Sequence, residues 1–219
     1  MNTLFNPDNP FWNTVGKILG LCVLSMIFTL CCIPIITIGP ACAALYYAVV
    51  KSIRRDRGYY VSEFFKAFRD NLKKGIPITL ILLALAAMLL LTDIPLILGY
   101  INTGTTNNVF SLVFFLLKLV LLLGVSSWIC PLMSRFEQKI PALFGYALLF
   151  MVRNILTSLV VIAFLFLVIF TIVYEILFLA IVPGLAALLI SFSMEPALQK
   201  ACDRTEVDEA TQDLWFLGR

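Results

Sequence analysis

The chain has 219 residues, 61% hydrophobic and only 13% charged, with a formal net charge of +3 and no histidine. Soluble domains are nearer half apolar and a quarter charged, so one core of this size cannot hide the excess, which must face lipid. The missing histidine removes the commonest metal ligand and the usual general base near neutral pH.

The opening MNTLFNPDNPFWN has neither a basic leader nor a small-residue cleavage site, so the first apolar run reads as a retained span over about 15–36. The uncharged stretch continues to Val50, too long for one crossing of about 20 residues. Pro34 and Gly39-Pro40 supply a break, because proline suits the first turn of a helix and disrupts its interior. A helix is expected to end between Ile33 and Ile36 and another to begin at Pro40. That second helix is expected at the membrane surface or in the cytosol, with Tyr46 and Tyr47 near the headgroups.

Residues 51–74 contain eight Lys or Arg residues. Within them, VSEFFKAFRDNLKK places Phe64, Phe65, Phe68 and Leu72 at spacings that form an apolar stripe, with Lys66, Arg69, Asp70 and Lys73 largely away from it. Ser62 is a plausible N-cap. Such a helix fits first an interfacial position under the bilayer, and as the sharper alternative a groove on a partner, where Phe64, Phe65, Phe68, Arg69, Asn71 and Leu72 would dock.

Further apolar runs predict spans over about 76–98, 109–134, 155–174 and 176–194. The expected fold is a single polytopic domain, an all-α integral membrane protein with about five transmembrane helices. A cytosolic amphipathic helix, the helix starting at Pro40 and a cytosolic tail over 195–219 complete it. Basic segments favour the cytosol, which places 51–74 inside and both GYINTGTTNN and the N-terminus outside, although Lys17 pulls the other way. The tail is acidic until Trp215-Phe216, a solvated end or a short docking peptide.

Charges inside spans call for a functional hypothesis. Lys118 lies about 15 Å into its span at 1.5 Å per residue, and Asp93 and Glu175 sit nearer the outer ends of theirs. An ion pair fixing helix packing, a polar substrate cavity and simple snorkelling all fit. The six cysteines form no paired C-x-x-C motif and read as packing residues. No phosphate loop, nucleophile elbow or H-E-x-x-H occurs, so neither enzyme activity, cofactor nor metal is expected. The basic residues fit topology and anionic-lipid contact better than nucleic acid.

Three blocks resemble the YesL-like membrane proteins of Gram-positive bacteria. The first is Asn9, Pro10, Phe11 and Trp12. The second is IPIITIGPACAALYYAV, with Pro34, Thr37, Gly39, Ala44, Leu45 and Tyr46 matching P-x-x-T-x-G…A-L-Y. The third is FFKAFRDNLKKG, and together they span roughly the first 80 residues. Pro40 departs from the alanine common there. The resemblance implies a plasma-membrane accessory or regulatory subunit of a carbohydrate ABC importer. Its partners would be lipids, importer permeases and their ATPase. The cytosolic segments lack the coupling-loop pattern of a permease. A small secondary carrier and a membrane signalling adaptor remain as alternatives, with Lys118, Asp93 and Glu175 lining the path in the carrier.

Overall fold

The computed structural model describes residues 10–103, 107–136, 138–174 and 181–202. Asn9, Glu175 and the end of the tail with Trp215-Phe216 lie outside the described residues. Among the described residues every regular element is helical: α1 (Pro10–Cys32), α2 (Ile38–Ala48), α3 (Tyr60–Thr103), α4 (Asn107–Arg135), α5 (Ile140–Arg153), α6 (Ile155–Tyr174) and α7 (Val182–Cys202). A 3-10 turn, Ile35–Thr37, precedes α2, and a π-helical turn, Val49–Arg54, continues it.

Four described segments are long and apolar enough to cross a membrane: Thr14–Cys32, Ile35–Arg54, Tyr60–Pro95 and Leu112–Arg135. A fifth results if α5 and the start of α6, bent by 99° at their junction, count as one broken span. The architecture is thus that of an all-α, membrane-type protein, as expected. The spans themselves are distributed differently.

The break after α1 forms as the prolines require. Helix α1 stops at Cys32, and Thr37 Oγ1 donates to the carbonyls of Cys31 and Pro34, both at 2.6 Å. Pro40 then occupies the first turn of α2, where its missing N–H costs no helical bond. With its flanking turns this second helix is long and apolar enough to be a candidate span, and it lies inside the helix bundle rather than on its outside. It is the most enclosed of the four candidate spans, with Ala41, Ala43, Ala44 and Ala48 fully buried and Tyr46 only 4% exposed. Its small residues allow α1, α3, α4 and α7 to pack around it.

Closest approach comes at two glycines. A Cβ on Gly39 would lie 2.2 Å from Thr79 Oγ1, and one on Gly75 would lie 2.5 Å from the Pro40 ring. The Gly39 N–H donates to Thr79 Oγ1 at 3.1 Å, and that hydroxyl donates back to the Gly75 carbonyl at 2.8 Å. These contacts register α2 against α3 in antiparallel fashion.

Helix α3 also corrects an expectation. The amphipathic segment and the following span are one 44-residue helix beginning at Tyr60, so Ser62 lies inside it and caps nothing. At 1.5 Å per residue it is about 66 Å long, roughly twice the hydrocarbon thickness. Its first half packs on α2 and the π-helical turn, and its second half runs beside α4 as a two-helix arm.

The N-terminus is corrected too. Lys17 Nζ pairs with Asp56 at 2.8 Å, and Gly20 lies against Ile53 and Tyr60. Helix α1 therefore starts beside the basic segment rather than across the molecule from it. Asp56 and Gly58 turn the chain there with φ of 52° and 79°. Of the expected span over 176–194, the described part falls in α7, whose apolar stretch, Val182–Leu198, continues past Glu195.

Candidate functional site

The deepest charges lie where the π-helical turn, α4 and α7 meet. Glu195 is 1% exposed and pairs with the Arg135 side chain, itself 1% exposed. Arg55 Nη2 donates to Glu195 Oε2 at 3.3 Å, and the Tyr46 hydroxyl donates to Oε1 at 3.4 Å. Beside them Arg54 donates to the Ser191 carbonyl at 2.9 Å and stacks its guanidinium 4.5 Å from the Phe192 ring centre. Burying charge is tolerable only with such partners, since the desolvation penalty is several kcal/mol per ion. One carboxylate between two guanidiniums thus joins three elements that are distant in sequence. Burial, with Arg54 and Arg57 nearby, lowers the proton affinity of Arg55, but a guanidinium remains charged in proteins.

Local structure explains who arrives there. A π-helical turn, a form frequent at functional sites, carries Arg54 to its end and leaves Arg55 as its C-cap. Arg135 closes α4. On α7, Gly184, Ala187, Ser191, Glu195 and Leu198 recur at three- and four-residue spacing and form the buried face. The Gly184 N–H donates to Ser25 Oγ at 2.9 Å, which fixes α7 against α1.

A cleft of about 240 Å³ opens beside this cluster. Lys66, Asp70, Asn71 and Lys74 of α3 line one side, Ser134, Arg135 and Phe136 the other, and Tyr47 lies between. Tyr47 accepts a hydrogen bond from Lys51 at 3.3 Å, and Lys51 pairs with Glu63 at 2.8 Å.

The sequence-predicted residues separate into several places. Lys118 and Asp93 do meet, with Nζ at 2.8 and 2.7 Å from the two carboxylate oxygens. This pair sits on the α3–α4 arm, with the lysine side chain 47% and the aspartate 7% exposed. Phe64 is fully buried, stacked on Phe68 with ring centres 6.1 Å apart, in a cluster with Leu45, Val49 and Ile53. The expected docking stripe is therefore largely taken up inside the molecule. Asn71 bonds its own helix through Ala67, and Leu72 is half-buried. Phe65 and Arg69 remain exposed. Pro34, Thr37 and Gly39 build the α1–α2 break, Tyr46 reaches Glu195, and Trp12 falls in the first turn of α1.

Residues 18–94 match a family model described as "Protein of unknown function, DUF624". The chain is similar to that family across most of α1, the α2 segment and α3 up to the Asp93 region. Tyr46, Arg55 and the α3 side of the cleft fall inside the matched stretch, whereas Lys118, Arg135 and Glu195 fall outside it. No curated protein and no solved structure matches the chain.

Glu195, Arg135 and Arg55 were not singled out from sequence. Glu195 follows an apolar run and reads as the first residue of a solvated tail. The available signal was the helical repeat continuing through Met194 and Leu198, which buries the turn on both sides of it.

Proposed function

We propose that this chain is a non-catalytic accessory subunit of a carbohydrate ABC importer in the bacterial plasma membrane, consistent with its resemblance to the YesL-like proteins. The observation that carries the reading is the outer face of the first half of α3. That half is fixed to the bundle through Phe64, Ala67 and Phe68, while Phe65, Lys66, Arg69, Asp70 and Lys73 stay exposed. A rigid, mixed apolar and charged face beside a basic segment suits a cytosolic contact with a permease or its ATPase. The ordering cost of that face is met by internal packing before any partner arrives.

An accessory role is supported over a carrier by the Lys118–Asp93 pair. Both carboxylate oxygens are engaged by one ammonium on a two-helix arm, and the polar cleft lies elsewhere. The decisive experiment is gentle solubilisation of native membranes followed by purification of the tagged chain. Recovery of importer permeases and their ATPase in fixed stoichiometry, lost on Phe65→Glu/Arg69→Glu, is expected. Recovery of the chain alone while those subunits are expressed would overturn the proposal.

A further inference from the structure

We propose that the cleft between α3 and the end of α4 binds a phosphate-bearing anion. Two cations, Lys66 and Lys74, line it against one carboxylate, Asp70, and Arg135, its guanidinium buried against Glu195, stands at its wall. On a helix Asp70 lies four residues from each lysine, so it partly neutralises both. Arg135 is itself paired with Glu195, yet Arg55 shares that carboxylate, leaving the cluster and cleft together with two net positive charges. The C-terminal carbonyls of α4 oppose an anion with about half a charge, which the cations outweigh.

Shape and chemistry favour phosphate over a bare halide. The 240 Å³ volume accommodates a phosphate with part of the group it esterifies. Lysine ammoniums supply point charges, Asn71 and Ser134 supply neutral polar groups, and the Tyr47 and Phe136 rings offer apolar walls. An anionic lipid headgroup and a soluble phosphate ester both present that chemistry.

The test uses the full chain in neutral detergent micelles. One arm titrates inorganic phosphate at constant ionic strength, and the other titrates phosphatidylglycerol against phosphatidylcholine, each read as a saturable rise in Tm. Saturable binding is expected, weakened about tenfold by Lys66→Gln/Lys74→Gln, which is about 1.4 kcal/mol. Asp70→Asn should tighten it, and Lys73→Gln, exposed on the same helix but outside the cleft, should leave it unchanged. Phosphate competing with phosphatidylglycerol identifies a headgroup site that reads the phosphate itself, and phosphate binding alone identifies a soluble ester. Saturation by neither probe would overturn the proposal. So would equal weakening by Lys73→Gln, or an Asp70→Asn variant that binds no tighter.

Discussion

Two ion pairs in this protein share their chemistry and differ in everything around it. Glu195 and Arg135 are both 1% exposed and joined by Arg55 and Tyr46, so that α7, α4, the π-helical turn and α2 all contribute. Asp93 and Lys118 link two neighbouring helices, and the lysine side chain is 47% exposed on an arm whose outer surface is Leu, Val and Phe. The side chains of the first pair are almost wholly withdrawn from water. The second has a flexible ammonium that can reach an interface by itself. A charge buried in a network therefore specifies packing, whereas a charge on an arm can be accommodated locally.

Breaking the first pair should have the largest effect. Glu195→Ala leaves two guanidiniums buried near each other and should lower stability by about 3–5 kcal/mol, read by thermal unfolding in detergent. An apolar double substitution, Glu195→Leu/Arg135→Met, should recover much of that loss. Recovery would show that the pair sets specificity more than net stability.

Lys118→Met should cost less, about 1–2 kcal/mol, because the lysine side chain is already half exposed and Asp93 lies near the end of its span. Asp93→Asn/Lys118→Met should return close to the parent. If the arm variant proves as damaging as Glu195→Ala, burial does not distinguish the two sites.

The smallest effect sharpens the cluster's internal ranking. Tyr46→Phe removes one long hydrogen bond to an already paired carboxylate and should cost about 1 kcal/mol or less, checked by the same unfolding assay.

Sequence patterning made the arm legible and left the cluster hidden, for physical reasons. Lys118 and Asp93 stand out because a lone charge in an apolar run violates a strong composition rule. Pro34 and Gly39-Pro40 revealed the α1–α2 break because proline and glycine act locally. The burial of α2 depends on which helices surround it, and apolarity alone does not separate lipid contact from protein contact. Arg55 and Arg135 looked like ordinary topology charges because their partner lies more than fifty residues away. The Phe64–Phe68 stripe was visible as amphipathic, but its occupant, the protein's own α2 segment, was not.

The most direct test compares two double-mutant cycles by thermal unfolding of the full chain. One pairs Glu195→Gln with Arg135→Met, and the other pairs Asp93→Asn with Lys118→Met. The coupling energy for Glu195–Arg135 is expected to exceed the arm pair's by about 1–2 kcal/mol. Equal couplings, or a larger one on the arm, would contradict it.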